Sequence, residues 1–247
     1  MSPDLIGHLS VQLPDGAGPF PVVVQMHGCG GIQPMQQTYA EAALAAGIAV
    51  VIVDSFAPRG ISRRAALMTV CTGARLRGAE RAGDLVAVLD WLALQPWADA
   101  SRLAAAGWSH GGWSVMEALA ADTGHPGLAA LKLAVLVYPY AGPLARTART
   151  GWGANRPKVL ACLGGRDAVV GVQAPQRAIA RLLADGLDVD LMELPQATHS
   201  FDDDCANDPR TIYRPDLAGL LRDRYVAALK AAFGIEHASI DPVIRRA

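Results

Sequence analysis

The pentapeptide Gly107-Trp108-Ser109-His110-Gly111 constrains this chain more than any other stretch, because it joins an apolar run, residues 103–106, to a helix-forming run, residues 112–121. A strand that passes into a helix through a serine needs a sharp, strained turn. Glycines on both sides let strand and helix approach where a side chain would collide. The serine hydroxyl then stands exposed at the end of a sheet, at the first turn of the helix. A Gly-x-Ser-x-Gly string in an ordinary glycine-rich loop lacks this flanking pattern.

The same alternation runs through the chain. Short β-branched and apolar runs at residues 22–26, 49–53, 103–107, 134–138, 159–163 and 189–194 do not alternate with polar residues, as expected of strands covered on both faces. Helical patterns fill the gaps at 36–46, 78–94, 112–121, 174–184 and 217–233. In the second of these, Leu85, Val88, Leu89 and Leu92 form one apolar stripe and leave Glu80, Arg81, Asp84 and Asp90 for other faces. Strand and helix in alternation predict an α/β fold with a mostly parallel, doubly wound sheet and right-handed crossovers. With no repeat, linker or break in composition, one domain is expected across residues 1–247, with a core at about 6–233 and a C-terminal tail at 234–247. Two irregular segments, 55–77 and 141–157, leave the carboxyl ends of strands, the edge where open α/β sheets bind ligands, and are the expected pocket walls.

Composition removes several classes of function. At 51% hydrophobic and 18% charged residues, the 247-residue chain has the apolar content of a well-cored globular protein. Its 22 basic and 23 acidic side chains nearly cancel, so neither nucleic acid nor an anionic membrane is an expected partner. The longest apolar stretch, residues 42–53, falls well short of the ~20 residues that cross a bilayer. The opening Met1-Ser2-Pro3-Asp4 lacks the basic and apolar regions of a secretory signal. A cytoplasmic location is therefore expected, or a periplasmic one for a chain whose signal has been removed. Cys29, Cys71, Cys162 and Cys205 form no Cys-x-x-Cys or Cys/His metal spacing, so no metal is implied. Four free thiols are expected, with a Cys71–Cys205 bridge as the alternative.

A serine hydroxyl becomes a useful nucleophile only beside a base that an acid orients. Asp167 follows run 159–163 through Gly164-Gly165-Arg166, and His199 follows run 189–194 through Pro195-Gln196-Ala197-Thr198, so each falls just past the carboxyl end of its strand, on the edge that carries Ser109. Rival acids are Asp54, which ends an earlier strand, and Asp202, Asp203 and Asp204, whose run of carboxylates reads as a solvated turn. Rival bases are weaker: His8 and His237 lie near the ends, His125 sits in a Gly-Pro loop, and His27 precedes the serine. Backbone N–H donors for an oxyanion are expected at His110, the residue after the serine, and at Cys29, with Gly30 next, in the glycine-rich turn after the first strand. Cys29 as a nucleophile is disfavoured, since its loop lacks the strand–turn–helix context. Candidate substrate contacts are Phe56, Arg59, Trp108, Tyr138 and Phe201, with Tyr140, Arg63 and Arg64 behind them; an arginine there would suit a carboxylate.

Four segments together, Val22-Val23-Val24-Gln25-Met26-His27-Gly28-Cys29-Gly30-Gly31, Asp54-Ser55-Phe56-Ala57-Pro58-Arg59-Gly60, Gly107-Trp108-Ser109-His110-Gly111-Gly112 and Thr198-His199-Ser200-Phe201, resemble the dienelactone hydrolase family of α/β-hydrolases. The resemblance covers roughly residues 6–233 without sign of a separate cap domain. It implies a single α/β-hydrolase domain in which Ser109, Asp167 and His199 form a triad in the family's order of nucleophile, acid and histidine. The family's namesake carries a cysteine where this chain has Ser109, and serine members resemble general carboxylesterases, some of them peptidase-like. The resemblance thus implies hydrolysis of a small-molecule ester or lactone through an acyl-enzyme, with no cofactor. The alternatives are a peptidase- or amidase-like hydrolase, or a noncatalytic ligand-binding protein on the same fold.

Overall fold

The computed structural model describes residues 4–121, 123–206 and 208–235. The tail expected at 234–247, and His237 within it, therefore lies almost wholly outside the described residues. The elements follow in the order β1 (Leu9–Gln12), β2 (Phe20–Met26), α1 (Pro34–Ala45), β3 (Ala49–Val53), α2 (Arg63–Thr69), α3 (Gly78–Leu92), β4 (Ala98–Trp108) and α4 (His110–Ala120). The short α5 (Pro126–Ala129), then β5 (Leu131–Val137), the short α6 (Thr147–Thr150), β6 (Lys158–Gly164), α7 (Gln173–Ala184), β7 (Val189–Leu194) and α8 (Pro215–Phe233) complete it. Strands β2 to β7 pair in parallel in the order β3-β2-β4-β5-β6-β7, and β1 adds an antiparallel edge beside β3. The sequence pattern missed β1, whose residues are exposed or half-buried and so carry no continuous apolar run.

Alternate side chains of each strand feed two cores. Val22, Val24 and Met26 of β2 pack with Leu85, Val88, Leu89 and Leu92 of α3 and with apolar residues of α4 and α7. Val23, Val50, Ile52 and Val135 point the other way, onto Met35, Tyr39 and Ala43 of α1 and Leu221, Tyr225 and Leu229 of α8. The sheet is thus covered on both faces, which is why its strands read as unbroken apolar runs. Burying each large aliphatic side chain contributes roughly 1.5–3 kcal/mol before entropy is charged against it. Among the described residues, no helix is long and apolar enough to cross a membrane.

Segment 55–77 is less irregular than its sequence suggests. It holds a 3-10 turn, α2 and a satellite cluster of Phe56, Ile61, Ala66, Val70 and Leu76, separate from the two main cores. A disulfide between Cys29 and Cys71 ties it to the loop after β2. This overturns both cysteine expectations: the thiols are not all free, and Cys71 pairs with Cys29, leaving Cys162 buried and Cys205 exposed as free thiols. The reason is tertiary. Folding of 55–77 back over the end of β2 sets the two Cα atoms 5.1 Å apart, although the residues are 42 apart in sequence.

Candidate active site

The turn between β4 and α4 is built by exclusion of side chains. A Cβ on Gly107 would overlap the Gly111 backbone, and one on Gly111 would overlap the Met26 carbonyl. Between them Ser109 takes φ 52° and ψ −113°, a conformation that L residues rarely adopt. The neighbouring strand holds it there. Ser109 N–H donates to the Val137 carbonyl at 2.9 Å, and Tyr140 N–H donates to the Ser109 carbonyl at 3.1 Å. His110 opens α4, so its backbone N–H has no intrahelical acceptor and lies at the positive end of the helix dipole.

The loops after β6 and β7 deliver the other two side chains. His199 Nε2 lies 2.9 Å from Ser109 Oγ, and His199 Nδ1 lies 2.7 Å from Asp167 Oδ2. The second Asp167 oxygen accepts the N–H groups of Val169 at 2.9 Å and Val170 at 3.0 Å, which fixes the carboxylate's orientation. With Asp167 accepting the Nδ1 proton, Nε2 is left to accept from the serine. The two loops brace each other, because Gly165 N–H donates to the Leu194 carbonyl and Arg166 N–H to that of Ala197, each at 2.9 Å. All three side chains are buried, Ser109 at 7% exposure, His199 at 5% and Asp167 at 4%.

The loop after β2 closes against Ser109. A Cβ on Gly28 would lie 3.6 Å from Ser109 Cβ, so this backbone borders the hydroxyl. The Gly28 carbonyl accepts His27 Nδ1–H at 2.7 Å and Gly31 N–H at 3.2 Å. In a trans peptide the N–H points opposite to the C=O, so these bonds set the direction of the Cys29 N–H. His27 Nε2 accepts Ser55 N–H at 3.3 Å, which defines the tautomer. Burial, then the nearby Arg81 guanidinium, holds the His27 pKa well below its ordinary value, so this ring stays neutral.

The expected substrate contacts fare unevenly. Trp108 and Phe201 are buried in the α1–α8 core, and Phe56 is buried in the satellite cluster with its ring 4.5 Å from that of His27. Arg59 is held by the buried Asp84 carboxylate through two bonds of 2.9 and 2.6 Å, so its charge is already matched. Tyr138 stays beside the site, its ring 4.7 Å from that of His199, while its hydroxyl points inward to Asp202 at 2.6 Å. Tyr140 packs against Trp113 at 4.7 Å.

The carboxylate run 202–204 is not a solvated turn, contrary to expectation. Asp202 and Asp203 are buried, and only Asp204 is exposed. Asp202 accepts the hydroxyls of Tyr39 at 2.9 Å and Tyr138 at 2.6 Å and the Trp108 indole N–H at 3.2 Å. Burial raises its pKa, and these three donors pull it back. Asp202 thus anchors the histidine loop from beneath. Arg81 and Asp84, expected on other faces of α3, are fully buried. Their spacing held the signal: 81, 84, 85 and 88 lie on one helical stripe, and two charges within an apolar stripe need a polar place to go.

A seven-stranded, mostly parallel sheet with a strained serine at a strand–helix turn defines the chain as an α/β-hydrolase. The model of the X-Pro dipeptidyl-peptidase (S15 family) matches residues 8–147, more than half of the chain, and the chain belongs to that family of hydrolases. Solved structures place the fold among dienelactone hydrolase-like proteins and esterases. A putative dienelactone hydrolase from Klebsiella pneumoniae aligns with a TM-score of 0.68 at 17% identity, over 90% of this chain and 98% of that one. A dienelactone hydrolase-like promiscuous phosphotriesterase from metagenomic libraries gives 0.68 at 20% identity, over 92% and 100%. A thermophilic esterase from Thermogutta terrifontis, with butyrate bound, gives 0.65 at 16% identity, over 93% and 90%. Comparison with curated proteins finds no match.

Proposed function

We propose that the protein is a serine hydrolase that cleaves carboxylic esters or lactones of small molecules through an acyl-enzyme. The observation that carries this reading is the hydrogen-bonded relay from Asp167 through His199 to Ser109 at the start of α4. Ser109 Oγ attacks the carbonyl carbon while His199 Nε2 takes its proton. Asp167 holds the Nδ1–H and offsets the imidazolium charge. The carbonyl oxygen becomes an oxyanion facing the backbone N–H groups of His110 and Cys29, each such donor being worth about 3–4 kcal/mol in the transition state. Collapse expels the alcohol, which takes the proton from His199. Water, deprotonated by the same imidazole, then releases the acid. The Cys29–Cys71 bridge favours an oxidising compartment as the site of action.

Reaction with a fluorophosphonate probe tests the reading. The folded protein is expected to be labelled at Ser109, and Ser109→Ala is expected to lose both labelling and about 10⁴-fold or more in kcat. Well-folded protein that neither labels nor hydrolyses p-nitrophenyl acyl esters would refute it. The family match favours a second reading, cleavage of a peptide bond after proline. That match ends at residue 147, ahead of both Asp167 and His199. Comparing turnover of p-nitrophenyl butyrate with that of a dipeptidyl-proline anilide separates the two; faster turnover of the anilide selects the peptidase.

A further inference from the structure

We propose that Arg81 is a positioning residue for the oxyanion pocket, a single buried guanidinium that ties together the two backbone segments whose N–H groups meet the developing negative charge. The proposal rests on the serine-hydrolase reading above. Arg81 projects from α3 and is fully buried, an expensive place for a cation, which needs partners that repay its desolvation. Its Nη1 donates to the His27 carbonyl at 2.9 Å and to His110 Nδ1 at 3.1 Å, and its Nε donates to Ser55 Oγ at 3.1 Å. His27 begins the loop that presents the Cys29 N–H. His110 supplies the second N–H, from the first residue of α4. One planar group therefore spans the joint between the end of β2 and the start of α4.

The surroundings of the guanidinium support a role in alignment. Asp84, three residues further along α3, gives both oxygens to Arg59, so Arg81 is not locked into an ion pair with it. Its Nη2 has no hydrogen-bond partner, although it is buried. Burial lowers the Arg81 pKa to about 10, which still leaves the group charged at neutral pH. The same burial, with the Arg81 charge, lowers His110 to about 3, so the ring keeps the Nδ1 lone pair that accepts from Arg81. A planar fork with fixed donor angles meets three acceptors at once; a lysine ammonium in that position reaches fewer.

Arg81→Met, Arg81→Lys and Ser55→Ala test the proposal in the full chain, with active sites counted by end-point fluorophosphonate labelling and folding checked by thermal melting. Displacing a reacting group by about 1 Å costs on the order of 10²-fold, so folded R81M is expected to lose about that much in kcat per labelled site, with KM within about threefold. R81K is expected to recover part of the loss. The Ki of an aryl trifluoromethyl ketone, whose tetrahedral adduct carries an oxyanion, is expected to rise in parallel with the fall in kcat. A merely structural arginine would lower the melting temperature and leave kcat per labelled site and Ki unchanged. That result in R81M overturns the proposal. Where R81M does not fold, the same result in R81K and S55A overturns it. Absence of labelling in the unaltered protein would instead sink the underlying hydrolase reading.

Discussion

Cutting the Cys29–Cys71 bridge should destabilise the protein by an amount that follows from its position. The bridge closes a loop across 42 residues, and the loop-entropy relation gives about 13 cal/mol/K for that length, or about 4 kcal/mol at 25 °C. For a chain of this size each kcal/mol moves the melting temperature by about 2–4 °C, so the expected drop is about 8–16 °C. The packing of Phe56, Ile61, Ala66, Val70 and Leu76 and the Arg59–Asp84 ion pair survive reduction, so the satellite segment should stay docked in the native state. The loss therefore resides mainly in the freed unfolded chain. Thermal melts of Cys71→Ser, and of the unaltered protein with and without a phosphine reductant, measure it. Thiol titration in denaturant should find two thiols before reduction and four after. Four thiols without reductant, or a C71S melt within about 2 °C of the unaltered protein, would refute the reasoning. Because Cys29 also lies in the loop bordering Ser109, activity should fall on reduction at temperatures where the fold persists.

Two further outcomes test the framework around the site. Gly111→Ala forces a Cβ into the Met26 carbonyl, with the His27 carbonyl 2.7 Å away, so the elbow must open; a loss of about 3 kcal/mol or more by urea denaturation is expected, together with most of the activity, and a stability change under 1 kcal/mol would contradict it. His110→Gln keeps an acceptor for Arg81 and removes a titrating ring. The His110 pKa is about 3 when folded and near 6.5 when unfolded, so between these values the unfolded state alone binds the proton and native stability falls as pH falls. Relative to H110Q, the unaltered protein should lose roughly 2–3 kcal/mol between pH 6.5 and 4.5; parallel stability curves over that range would refute the assignment.

Residues that act through local pattern were legible before folding. The strand runs, the glycines at 107 and 111, and the placement of Asp167 and His199 just past β6 and β7 depend on backbone sterics and on apolar runs within a few residues, so a linear reading finds them. The structure brings Ser109, His199 and Asp167 into hydrogen-bond contact from 32 to 90 residues apart. The fate of a charged or sulfur-bearing side chain, by contrast, depends on what meets it from elsewhere.

That dependence marks what folding alone decided. Asp202 reads as surface until Tyr39, 163 residues away, and Tyr138, 64 away, bring their hydroxyls to it. Arg59 and Arg81 are alike as sequence, yet one is neutralised by Asp84 and the other reaches the two segments flanking Ser109. Cys29 finds Cys71 only because segment 55–77 folds back over the sheet edge. Apolar periodicity and glycine sterics are properties of neighbours along the chain and so specify the scaffold. The desolvation of a polar group is a property of its final surroundings, which exist only once distant elements have packed.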